Sequence, residues 1–236
     1  MRVELQQGFV LHRRPFKDSS LILDCLTENH GRLSVIAKGA RSAKSRWRQM
    51  CQPFCPLLLS WQGRHSLKTL VSAESTGLPV MLSENYLYSG LYLNELLTRL
   101  LPEHDACERL YGHYVVALEQ LGRQLPLEST LRQFELALLE EMGYAVDLEW
   151  EAGAGARIEP DCYYQWRAEN GFERLSDAQA RLERSAYLGG HLLAIGRRDL
   201  SSPEVLRAAK RLSRQLLGPL LGHKPLESRK LFAKTQ

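Results

Sequence analysis

Along the first 80 residues the apolar positions come in short runs. Gly8–His12, Ser20–Leu26, Arg32–Ala37, Leu57–Gln62 and Leu67–Ala73 are rich in Val, Ile, Leu, Phe and Thr, and each is bounded by Gly, Pro, Asn, Asp or Ser. That punctuation predicts five strands. In Arg32–Ala37, Leu33, Val35 and Ala37 share one face and Arg32, Ser34 and Ile36 the other, the period-two signature of a half-buried strand. Five short strands in so little chain suit a small closed barrel, since closure removes exposed edges. A barrel of this size suggests an OB-fold, although periodicity alone does not separate it from an SH3-like barrel.

After Pro79 the period lengthens. Ser83 is placed to cap a helix over Glu84–Leu101, where Leu87, Leu91, Asn94, Leu97 and Leu101 recur at spacings of three and four. Asp105 and Glu108 resemble a capping box opening a second helix to Gly122, and a third is expected over about Glu128–Met142 with Gly143 closing it. These neighbours should pack as a bundle. Residues 145–175 are irregular, with a Gly153–Ala156 stretch and the aromatic cluster Tyr163, Tyr164, Trp166 and Phe172, and they predict a small inserted subdomain with a hairpin through Tyr163–Arg167 and Phe172–Leu175. A short helix over Asp177–Leu188 follows. Ser202-Pro203-Glu204 then opens a last strong helix, with proline at the first helical position, where its missing N–H costs nothing. The expected architecture is α+β: a barrel domain over 1–80 and a helical domain over 81–236 carrying the insertion.

Charge changes this picture. The net charge of +4 hides a partition of +7 over residues 1–80, −9 over 81–200 and +6 over 201–236. Between Glu28 and Glu74 lie eight basic residues and no acidic one. Such asymmetry points to a polyanionic partner. Lys38–Arg48 holds five cations in eleven residues, with Trp47 among them. Cations in a barrel loop can neutralise phosphates, and Trp47 either stacks on a base or packs against the barrel. Arg32, Lys38, Arg41, Lys44, Arg46 and Arg48 are therefore candidate DNA contacts. Lys210, Arg211 and Arg214, together with Arg207, share one face of the last helix and supply a second basic surface. The tail Lys224–Lys230 extends that positive field.

Other chemistry is thinly represented. No phosphate-binding glycine loop, nucleophile elbow or zinc-protease motif occurs, so no enzyme is expected. Glu140, Glu141, Asp147, Glu149 and Glu151 form an acidic run that a two-metal nuclease could use, but it reads more simply as a solvated helix end and loop. Cys25, Cys51, Cys55, Cys107 and Cys162 make an odd count without a secretion signal, which argues for reduced thiols in a cytoplasmic, nucleoid-associated protein. No apolar run approaches the length of a membrane span.

Several stretches in order resemble the RecO family of recombination mediators, and most closely its gammaproteobacterial form. They include Gly8–His12, Leu33–Arg41, Gln52–Leu59, Tyr88–Leu97, Leu131–Leu139, Leu206–Arg211 and Lys224–Phe232. The resemblance implies an N-terminal OB-fold, a helical bundle and a small inserted zinc-finger-like region. It also implies binding to single- and double-stranded DNA and annealing of complementary strands. RecR would be a partner, and the protein would dock on the C-terminal tail of single-stranded DNA-binding protein and so allow RecA loading. Many members bind zinc through four cysteines in the inserted region; here that region holds only Cys162, so neither zinc nor any other cofactor is expected. The acidic partner tail, by the same resemblance, ends in Phe. It needs an apolar pocket and a cation, for which Arg132 and Leu136, four apart on the third helix, and nearby Arg123 are the candidates. An RNA-binding OB protein is the alternative reading, because phosphate neutralisation and stacking serve both polymers.

Overall fold

The computed structural model describes residues 2–153, 155–168 and 170–233; Ala154, inside the expected Gly153–Ala156 stretch, lies outside the described residues. Five strands close a barrel: β1 (Arg2–Phe16), β2 (Ser20–Thr27), β3 (Gly31–Ala37), β4 (Leu57–Gln62) and β5 (Lys68–Ser75). Their order around the ring is β1-β2-β3-β5-β4. All neighbours are antiparallel except β3 and β5, which run parallel, and this is the OB topology. Long β1 makes closure possible. Its first half pairs with β4 and its second half with β2, and the β2 register shifts between Val10 and His12. Val10, Leu23, Leu33, Val35, Leu57, Leu59 and Trp61 fill the interior, as the alternation requires.

The bulge at Leu11 has a structural consequence. It frees the Leu11 carbonyl from the ladder, and the buried Asn94 amide donates to it at 2.9 Å. Tyr114 in turn donates to Asn94 Oδ1 at 2.7 Å. Asn94 belongs to α2 (Glu84–Leu100) and Tyr114 to α3 (Glu108–Gly122), so a chain of buried hydrogen bonds ties two helices to the barrel. Burial pushes the Tyr114 phenol far above its ordinary range, so it stays a donor at any working pH.

Between α2 and α3 the chain crosses the β2–β3 turn. Arg32 donates from Nε to the Leu101 carbonyl at 2.9 Å and reaches Glu103 at 3.4 Å. Gly31, at φ +62°, passes so close that a Cβ would lie 1.9 Å from the Asp105 carbonyl oxygen. Only glycine fits there. The expected Asp105/Glu108 capping box is absent: Cys107 holds the cap position of α3 and makes no side-chain cap bond. Asp105 is instead spent in the crossing.

Asp24, buried on β2, accepts from Ser34 Oγ at 2.7 Å and sits 3.6 Å from His12 Nδ1. Burial works to raise its pKa, but His12, Ser34 and nearby Arg14 outweigh it, and the carboxyl titrates below its ordinary range. A depressed carboxyl stabilises the fold above the unfolded-state pKa of about 3.9, and that contribution fades as the pH falls through the folded value. Asp24→Asn should therefore be less stable than the parent at pH 7 in urea melts, with the gap closing below about pH 4. A gap independent of pH would show that charge plays no part.

The helices that follow the barrel are divided between two compact units. The first runs from the amino terminus to Phe134 and resumes at Leu220; the second is Glu135–Pro219. The third helix, α4 (Leu127–Glu141), spans the division, as does α7 (Pro203–Leu221). In the first unit a terminal helix that charge alone did not reveal, α8 (Glu227–Ala233), docks on α2. Glu95 accepts the backbone N–H groups of Glu227 and Ser228 at 2.9 Å each, capping α8. Arg99 donates to the Leu221, Lys224 and Pro225 carbonyls.

The second unit holds a three-stranded sheet of β6 (Tyr163–Arg167), β7 (Gly171–Arg174) and β8 (Tyr187–Leu188), in the order β7-β6-β8. The hairpin falls where expected. The single helix expected over Asp177–Leu188 is shorter, α5 (Asp177–Leu182), and an unforeseen α6 (Gly189–Gly196) follows β8. Tyr164, Phe172 and Tyr187 are wholly enclosed and pack with Leu192, Ile195, Val205, Ala209 and Leu212. Ser202 Oγ accepts from the Glu204 and Val205 N–H groups, the cap read from sequence. Among the described residues no helix is long and apolar enough to cross a membrane.

Candidate nucleic-acid interface

The basic segment 38–48 connects β3 to β4 and contains a short helix, α1 (Arg46–Met50), where a plain loop was expected. A five-residue helix has no room for an apolar stripe, so periodicity does not announce it. The segment is tied to the β1–β2 turn: the Arg41 backbone N–H donates to the Ser19 carbonyl at 2.8 Å, and its guanidinium to the Lys17 carbonyl at 3.1 Å. That tie brings in cations that spacing did not single out. Lys17 lies beside Arg41, and Arg13 and Arg14, earlier on β1, are exposed as Lys38, Arg41, Lys44, Arg46 and Arg48 are. The Arg13-Arg14-x-x-Lys17 run was visible in the sequence but is followed at once by Asp18. Lys38, Lys44 and Arg48 have no ionic partner among the described residues. Mutual repulsion among such cations is relieved when a polyanion binds.

Trp47 is half-buried and packs against the barrel core, with the Arg46 guanidinium 4.4 Å over its ring. Of its two sequence readings the geometry favours packing; Arg46 then presents its flat face at the rim of the barrel. Arg32 differs from the other barrel candidates. Its guanidinium is engaged by the Leu101 carbonyl and Glu103, so it holds the crossing chain.

The α7 candidates also divide. Arg214 is exposed and Lys210 half-exposed. Arg211 lies over the Tyr187 ring at 3.9 Å and donates to the Ala186 carbonyl at 2.6 Å, a packed arrangement inside its unit. Arg207 is paired with Glu204 at 2.7 Å. Lys224 and Arg229 are exposed, while Lys230 pairs with Glu227.

The tail candidates fall in different settings. Arg123 is exposed at the C-cap of α3. Arg132 and Leu136 are 6% and 5% exposed. Leu136 lines a cavity of about 260 Å³ in the second unit with Leu139, Tyr144 and Arg198, and with the carboxylates of Glu140, Asp147 and Glu149. Arg198 there pairs with Glu140 at 2.5 Å.

The acidic run is dispersed. Besides the Glu140 pairing, Asp147 accepts from the Glu149 and Trp150 N–H groups, and Glu151 accepts from the Tyr164 hydroxyl. Among the described residues no three His, Cys, Asp or Glu side chains come together as a metal would require.

A closed OB barrel with a basic β3–β4 segment, followed by helices, defines a class of modular OB-fold protein. The family models Recombination protein O N terminal and Recombination protein O C terminal match residues 1–78 and 84–230. The chain belongs to the RecO family. It is 47% identical to the DNA repair protein RecO of Vibrio cholerae, over 98% of this chain and 94% of that one. The Haemophilus influenzae protein of the same name is 45% identical over 99% and 98%. That of Aliivibrio fischeri is 45% identical over 98% and 96%.

Proposed function

We propose that this chain is a non-enzymatic mediator of recombination in DNA repair. It binds single- and double-stranded DNA, anneals complementary strands, and acts with RecR on strands coated by single-stranded DNA-binding protein, so that RecA can load. The observation that carries the reading is the row of exposed, unpaired cations on segment 38–48, fastened to the β1–β2 turn of an OB barrel. A flexible polyanion is held by such a surface through its phosphates, without a catalytic centre. The membership in RecO and the name borne by its relatives support the same reading. Lys210 and Arg214 extend the proposal to a second basic surface on α7. Arg32 and Arg211 enter it as residues that hold the fold beside those surfaces.

Docking of the acidic partner tail is assigned to Arg132, Leu136 and Arg123. Support comes from Leu136, which lines a cavity that also carries Arg198, although Glu140, Asp147 and Glu149 share its wall and Glu140 holds that guanidinium. A terminal Phe needs that pairing of ring pocket and cation. Arg132 takes part only when the surface over it opens.

The test is annealing of complementary strands that have been coated with the cognate single-strand-binding protein. The chain should accelerate annealing well above the rate without it. No acceleration would overturn the mediator reading, and tighter binding to RNA than to DNA of equal length would redirect it to RNA.

A further inference from the structure

A second feature of the barrel lies away from segment 38–48. The β2–β3 turn, the β4–β5 loop and the crossing between α2 and α3 enclose a cavity of about 280 Å³, lined by Asn29, His30, Leu33, Trp61, Lys68 and His104 among others. Trp61 is 4% exposed as a residue, but its indole nitrogen keeps access to solvent and donates to no group among the described residues. Its ring meets His30 edge-on at 5.2 Å. An N–H open in this way can donate to an acceptor that enters from solvent. The cavity that Trp61 helps to line carries no carboxylate, and Lys68 and two histidines belong to its wall.

His104 shares a left-handed backbone with six other non-glycine residues among those described. It has φ +64°, a left-handed conformation that non-glycine residues avoid. Its N–H donates to the Arg32 carbonyl at 2.8 Å, which holds it there. Strain held in place by neighbouring bonds is a reason to look for a role. His104 and His30 both line the cavity.

From this geometry we infer that the cavity receives one unstacked nucleotide of a single DNA strand. The base lies against the imidazoles of His30 and His104 with an acceptor atom on the Trp61 N–H, and the adjoining phosphate sits on Lys68. The ligand must be flat, offer acceptors and carry negative charge, and a nucleotide meets all three needs. The inference rests on the DNA-binding reading above and adds to it a place where one base is held out of the stack.

The chain has four tryptophans, so Trp47→Phe, Trp150→Phe and Trp166→Phe together leave Trp61 as the sole indole. Oligo(dT) is titrated into this protein while Trp61 emission is read, and the labelled oligonucleotide is followed by anisotropy in parallel. The emission should change and saturate at the concentration where the anisotropy does. In the natural background, Lys68→Ala with His104→Ala should weaken oligo(dT) binding about 10-fold, the loss of one charge contact and one stacking face. Normal anisotropy with unchanged Trp61 emission would overturn the inference. So would undiminished affinity in the double variant, which also decides the matter if the triple variant does not fold. Absence of any anisotropy change in the parent protein would instead overturn DNA binding itself.

Discussion

Asn94→Ala is expected to destabilise the protein by about 3–5 kcal/mol, because it strands two buried polar groups at once. The Leu11 carbonyl, released from the ladder by the bulge in β1, would lose its donor, and the Tyr114 hydroxyl its acceptor. Neither can turn to water, since Asn94 is 3% exposed and Tyr114 wholly enclosed. Tyr114→Phe removes the hydroxyl and orphans only Asn94 Oδ1, so it should cost roughly 1–3 kcal/mol. Urea denaturation of the two variants beside the parent gives the order. Equal losses, or a loss below that of Tyr114→Phe for Asn94→Ala, would mean that the bulge finds another partner.

The second large effect concerns DNA. Substituting Lys38, Lys44, Arg46 and Arg48 together by alanine should weaken single-strand binding roughly 100-fold at moderate salt and flatten the plot of log affinity against log salt by about 3. The expected slope for the parent is roughly −3 to −4 if about five phosphates are neutralised. Arg41 is left in place because its guanidinium helps to fasten the segment to the β1–β2 turn. The four chosen side chains are exposed, so melting temperature should move little. Fluorescence anisotropy over a salt series checks both numbers. A flat parent slope, or an unchanged affinity in the variant, would remove this segment from the interface.

How much of this was legible in the sequence follows from how local each feature is. Four strands were readable because short apolar runs are bounded by turn residues, even in β2, which is buried on both faces and shows no alternation. Strand β1 was read only over Gly8–His12, since its ends are exposed on both faces and Glu4, Gln6, Arg13 and Arg14 show no period. Helix α6 opens on Gly189-Gly190, which sequence reads as a break, and α8 was read for its charge rather than its packing. The basic segment was legible because its cations are neighbours in the chain. What Arg32 and Arg211 do was not, because their partners are backbone carbonyls at Leu101 and Ala186, and a carbonyl leaves no mark on composition. The role of Asn94 was hidden in the same way. It occupies a core-facing helical position that spacing treats like a leucine, and only the bulge across from it explains an amide there.

The enclosure of the barrel thiols has a use at the bench. Cys25, Cys51 and Cys55 are between 0% and 3% exposed, and burial, the largest influence on both, pushes the Cys25 thiol well up and the Cys51 thiol up to about 12. A thiol that is neither ionised nor reachable does not alkylate. Cys107 and Cys162, partly open, lie one in each compact unit. A maleimide dye added to the native protein should therefore mark those two positions, Cys162 slowly because burial and Glu159 raise its thiol, and spare the other three. Slow labelling beyond two sites per chain would then clock the opening of the barrel, with no residue added or removed.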